Sequence, residues 1–171
     1  MIDIGQNVPP LRTPAFTQGA LTLFDFSGYR NHWVAMSSMP NFGLLEATLL
    51  DLHSDGFGHE GALLLALCPN APVFHAAWIR QAPYIRIPML IDPLSRLHRL
   101  LGISRESFYG RCRSVLIDPS GVLRFRLTHD FNGRGIKSLK EALIINQRLP
   151  FPLTKGSHVL TSKGTLTPCI L

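Results

Sequence analysis

The apolar positions of this chain fall into short runs separated by turn-forming residues, and strand-like and helix-like spacings alternate along it. "ALTLFDF" (20–26) and "HWVAMSSM" (32–39) are apolar or β-prone and bounded by turn residues. They predict two strands joined through "SGYRNH" by a turn or a single helical turn. After Pro40, the residues Phe42, Leu45, Leu49 and Leu52 recur at helical spacing, which predicts a helix with one buried stripe. The glycines of "SDGFGHEG" (54–61) are expected to break that helix. "ALLLALC" (62–68) is continuously apolar, the pattern of a strand buried on both faces of a sheet.

Farther on, "NAPVFHAAWIRQ" (70–81) opens with an asparagine cap and an early proline, predicting a helix. "IPMLID" (87–92) reads as the next strand. "PLSRLHRLLGI" (93–103) reads as a helix opened by Pro93, with Leu94, Leu97 and Leu101 on one side and Arg96 and Arg99 off it. In "RSVLIDPSGVLRFRLTH" (113–129), two β-prone runs flank Asp-Pro-Ser-Gly, which predicts a hairpin. "KSLKEALIINQRL" (137–149) closes the pattern as a helix with Leu139, Ala142 and Leu143 inward. This order implies an α/β fold, a mixed central sheet with helices on both faces, over residues 1–150. Residues 151–171 lack periodicity and are expected to form a C-terminal surface arm.

Composition narrows the function classes. With 46% hydrophobic and 16% charged residues, the chain has the makings of a packed core. The net charge of +6 permits attraction to polyanions, but the basic residues are scattered singly or in pairs, so nucleic acid is not an expected partner. No apolar run reaches the roughly 20 residues of a membrane span, and the N-terminus lacks the basic head and apolar stretch of a secretory signal. The expected location is the cytoplasm. Cys68, Cys112 and Cys169 are odd in number and widely spaced, which argues against a disulfide framework and a Cys-x-x-Cys site. Two residues follow Cys169, so the ending is not a prenylation signal.

Candidate chemistry is sparse. Asp51, His53, Asp55, His59 and Glu60 lie within ten residues and raise a metal site, but their spacing matches no defined ligand set. No metal and no cofactor is assigned. Cys68 ends an apolar run and reads as a small buried filler. Cys112, between Arg111 and Arg113, has the electrostatics of a lowered pKa and is the candidate displaced thiol, although a filler role competes. Cys169 reads as an exposed spectator.

Four segments together resemble the peroxiredoxins (the alkyl hydroperoxide reductase and thiol-specific antioxidant family). They are "IGQNVPPLRTPAF", "FDFSGYRNHWVAMSSMP", "HAAWIRQ" with "IPMLIDPLSRLHRLLGI", and "YGRCRSVLIDPSGVLRFRLTHDFNGRGIKSLKEAL". The resemblance implies a thioredoxin-like fold and, for active members, thiol-dependent peroxide reduction. It also implies packing roles for His75 and Trp78 and assembly into a homodimer or larger homo-oligomer, with a further protein partner left open. The family motif Pro-x-x-x-Thr-x-x-Cys begins at Pro40. Counted without gaps, its threonine and cysteine positions hold Leu44 and Ala47; with a loop shorter by one residue they hold Gly43 and Glu46. Neither register contains a thiol.

The family arginine is expected six residues before Asp118, where Cys112 stands; a one-residue shortening places Arg113 there. If Ile117 pairs with Val122, Arg113 lies opposite Arg126, and Arg111 and Arg124 join that face. Glu46 is then either a carboxylate occupying the lost thiolate's place against Arg113 or a solvated first-turn glutamate. Three functions follow: a non-peroxidatic protein binding a partner or small anion at the Arg113 face, an oxidoreductase using Cys112, or an oligomeric scaffold.

Overall fold

The computed structural model describes residues 1–38, 44–69, 84–103 and 111–149. Seven strands form one sheet: β1 (Arg12–Thr17), β2 (Ala20–Asp25), β3 (Trp33–Ser38), β4 (Ala62–Cys68), β5 (Met89–Ile91), β6 (Arg111–Ile117) and β7 (Leu123–Asp130). Their order is β2-β1-β5-β4-β3-β6-β7. The central trio β5, β4 and β3 is parallel, and the flanking pairings are antiparallel. Three described α-helices cover the faces: α1 (Leu44–His59), α2 (Arg96–Leu101) and α3 (Gly133–Arg148). The mixed α/β sheet read from the alternation of runs is therefore present. The helix expected over 70–81 and the arm 151–171 lie outside the described residues.

Side-chain alternation on the strands divides the core in two. One face carries Ala35, Leu64, Ala66 and Leu116 against Ala47, Leu50 and Phe57 of α1 and Leu139 and Leu143 of α3. The other carries Val34, Met36, Leu65, Leu67 and Val115 against Leu97 and Leu101 of α2. Strand β4 contributes to both, as its unbroken apolar run requires.

Several expectations are corrected. The buried stripe of α1 is Ala47, Leu50, Asp51 and Phe57, whereas Leu45 is 84% and Leu52 73% exposed. Leucines surround this helix, so spacing alone allows two stripes, and the direction of approach to the sheet selects one. Asp51 belongs to the inward face because its carboxylate accepts the backbone N–H groups of Arg86 (2.7 Å) and Ile87 (3.0 Å). The helix does not break at residue 54. It runs to His59, and the chain leaves it through Gly61, whose φ of +68° is the left-handed geometry that glycine adopts without strain. Of the expected 93–103 helix, Arg96–Leu101 forms, and Leu94 is exposed. Strand β1 carried no distinct strand signal, since Pro14 interrupts it; the chain reverses through Gln18 and Gly19, both at positive φ, into β2.

The β6–β7 hairpin forms around Asp118-Pro119-Ser120-Gly121, with the Gly121 N–H donating to the Asp118 carbonyl at 2.8 Å. A register shift at Leu116/Ile117 pairs Ile117 with Leu123 rather than Val122. The ladder consequently sets Arg113 opposite Thr128, and Arg126 opposite Val115.

Candidate functional site

The carboxyl ends of β3, β4 and β5 share one edge of the sheet, the edge where open α/β sheets bind ligands. Of the positions that the family motif selects there, Pro40 and Gly43 lie outside the described residues. Glu46 stands half-buried in the first turn of α1, and Ala47 is fully buried against the sheet. Glu46 and Arg113 form no ion pair, whereas the carboxylates of Asp118, Asp130, Asp51 and Asp55 do hold guanidiniums.

On the α1 face of the sheet, Cys112 closes a buried polar cluster. Its Sγ lies 3.1 Å from His129 Nε2, and that nitrogen is 2.9 Å from the Ser114 hydroxyl, which donates to Ser37 Oγ at 3.0 Å. Burial pushes the Cys112 thiol up to about 11, overriding the hydrogen bonds from Ser37 and Ser114. Burial also lowers the His129 pKa against the opposing pull of Asp130. Both groups are thus neutral near pH 7, and the activated thiol expected from two neighbouring arginines is reversed. The arginines flank Cys112 in sequence but, one residue away on a strand, project to the opposite face. Gly135 lets α3 approach this cluster, because a Cβ there would stand 2.6 Å from His129 Nδ1 and overlap the Asp130 carbonyl.

Cys68 is fully buried, and burial raises its pKa well above the ordinary value, in keeping with a filler role. Cys169, His75 and Trp78 lie outside the described residues. The acidic residues of 51–60 are spoken for: Asp51 and Asp55 face Arg86, and Glu60 pairs with Lys140 at 3.3 Å. Among the described residues no group of three or more histidine, cysteine, aspartate or glutamate side chains could hold a metal ion.

The opposite face carries Arg113. Arg113, Arg126 and Thr128 line an open cleft of about 130 Å³ with Gly102 and Ile103. Three of the four arginines expected to crowd this face are neutralised or committed. Arg124 is held by Asp118, and Arg111 lies 3.6 Å from Asp130. Arg126 donates through Nε to the Leu101 carbonyl at 2.7 Å and also to the Ile2 carbonyl. These acceptors place its charge at the C-terminus of α2, where carbonyl dipoles favour a cation. The Arg113 guanidinium has no ion pair or hydrogen bond among the described residues. Thr128 was not a candidate from sequence; only the shifted register brings it opposite Arg113.

The fold is shared with several solved structures. AhpC of Enterococcus faecalis matches with a TM-score of 0.66 and 19% identity, over 85% of this chain and 95% of that one. The reduced 2-Cys peroxiredoxin of Plasmodium vivax matches at 0.68 and 18%, over 84% and 96%. Plasmodium yoelii Prx1a, whose N-terminally modified form is an artifactual octamer, matches at 0.69 and 19%, over 85% and 91%. This chain therefore has the thioredoxin-like fold of the peroxiredoxins. No protein-family model matches the sequence, and no curated protein does.

Proposed function

We propose that this chain is a peroxiredoxin-like protein that no longer reduces peroxide and instead binds a small oxyanion at Arg113. The observation that carries this reading is a guanidinium with no carboxylate among the described residues, lining a cleft beside Arg126 and Thr128. A planar donor fork matches a tetrahedral or carboxylate anion, and a hydroxyl opposite it supplies a further donor. A redox setting is suggested by the shared fold, while neither Glu46 nor Ala47 supplies a nucleophilic sulfur at the motif position.

Titration with phosphate tests the reading through thermal stability, because a ligand bound only by the folded state raises it. At 100 times Kd the gain is about 2.7 kcal/mol. Arg113→Gln is expected to remove most of that gain, and an equal rise in both proteins would refute the site.

A second reading, assembly of identical chains, is favoured by edge strand β2, where Leu21 and Leu23 are 57% and 64% exposed on one side. An uncovered apolar edge is prone to pairing. Sedimentation is expected to show a dimer or larger species that Leu23→Lys dissociates; a wild-type monomer at high concentration would dismiss the idea.

A further inference from the structure

At the same sheet edge, three buried residues from separate elements are joined in a chain of hydrogen bonds. Ser38 ends β3, Asp92 follows β5, and His98 lies on α2. The Ser38 Oγ is 2.6 Å from His98 Nε2, and His98 Nδ1 is 2.7 Å from Asp92 Oδ2. Asp92 is fixed in turn: its two oxygens accept the backbone N–H groups of Arg96 (2.7 Å) and His98 (3.0 Å). Burial works to raise the Asp92 pKa, but the hydrogen bonds from His98 and Arg96 outweigh it and hold the carboxyl below its ordinary value. An ionised carboxylate only accepts, so His98 donates from Nδ1; in the neutral ring Nε2 is then left to accept the Ser38 proton. Hydroxyl, imidazole and carboxylate stand here in the order in which a serine nucleophile is activated.

We propose that Ser38, His98 and Asp92 form a nucleophilic triad that hydrolyses small carboxylic esters. Ser38 is the nucleophile, His98 the general base and then acid, and Asp92 a positioning residue that holds the imidazole tautomer. Ser38 Oγ bonds to the ester carbonyl carbon while its proton passes to His98 Nε2. The bond from carbon to the alcohol oxygen breaks, and His98 returns the proton to the departing alcohol. Water then attacks the acylated Ser38 with the same proton relay, releasing the carboxylic acid and restoring the hydroxyl.

Two features support chemistry over a purely structural role. Ser38 is the direct ladder partner of Arg113, so the two side chains share a face, with Cβ atoms about 5 Å apart, which sets a guanidinium beside the hydroxyl's strand position. Within three residues of both Asp92 and His98, Ser95 adopts a left-handed φ of 54° and buries a hydroxyl with no hydrogen-bond partner. Strain of this kind in a residue other than glycine gathers at functional sites. The proposal does not depend on anion binding at Arg113 and stands or falls separately from it.

The test uses the full chain with a fluorophosphonate probe and, separately, 4-nitrophenyl acetate. A probe adduct mapped to Ser38 by peptide mass spectrometry is expected. Ester hydrolysis should fall about 10²–10⁴-fold in Ser38→Ala and in His98→Gln. Asp92→Asn no longer fixes the imidazole tautomer and should lower kcat while leaving KM near the wild-type value; an unchanged kcat in a folded Asp92→Asn variant would argue against its positioning role. If Ser38→Ala fails to fold, the wild-type adduct decides. No adduct at Ser38 in folded protein, or undiminished hydrolysis in a folded Ser38→Ala variant, would overturn the triad.

Discussion

Asp118→Ala is expected to destabilise the protein by about 3–5 kcal/mol, measured by urea unfolding, because it breaks a buried ion pair and removes the acceptor that two further donors share. Asp118 is 2% exposed, and its carboxylate accepts the Ser120 hydroxyl (2.6 Å), the Val122 N–H (2.9 Å) and the Arg124 guanidinium. Removing it leaves Arg124, only 12% exposed at its side chain, without this carboxylate, and frees the turn that sets the β6–β7 register. A milder effect, within about 0.5 kcal/mol as at an ordinary surface site, would show that the turn holds without it. The pH dependence follows the same contacts. Burial tends to raise the Asp118 pKa, but its hydrogen bonds and Arg124 hold it below 3.8. Its contribution is therefore complete above the unfolded value and is lost as pH falls below about 4 through the folded one. Asp118→Ala should flatten that part of the acid unfolding curve.

Hydrogen peroxide mixed with the reduced protein is expected to disappear no faster than in a control whose accessible thiols are blocked. Peroxide reduction needs a thiolate, and both described cysteines are buried and held as thiols. Rapid stoichiometric consumption, abolished by blocking, would contradict this. The same burial makes the fold sensitive to base. The Cys112 pKa is raised from 9.0 to about 11, so the stability it contributes is intact below pH 9 and lost as pH rises from 9 to 11. The loss is about 3 kcal/mol by the free-energy equivalent of a pKa shift. Urea midpoints taken across that window should fall less steeply in Cys112→Ala.

Much of the architecture was legible because it rests on local signals. An uninterrupted apolar run such as 62–68 has no solvent-facing side, and it forms the central strand feeding both cores. Asp-Pro-Ser-Gly encodes its own reversal, and the hairpin forms there. The functional positions were less legible. Cys112 and Arg113 were both singled out, yet their environments came out opposite: the thiol entered a neutral polar cluster, and the guanidinium reached an open cleft. Adjacent strand residues face opposite ways, so which faced the core depended on a register that one bulge shifts. For residues 51–60 the sequence showed a cluster of acids and histidines without a ligand spacing, but not that the segment stays helical to His59 and spends its carboxylates on Arg86, Lys140 and backbone N–H groups.

The α/β class, the central apolar strand and the lack of any cysteine between Pro40 and Cys68 are properties of the sequence itself, each set by neighbouring residues or by residue identity. The meeting of Ser38, Asp92 and His98, the pairing of Arg113 with Ser38 and Thr128, and the orientation of α1 arose only in the folded chain. Such contacts join residues far apart in the chain, as Ser38 and His98 are across 60 positions. No local pattern encodes them, because they depend on the sheet order and on how each helix settles against it.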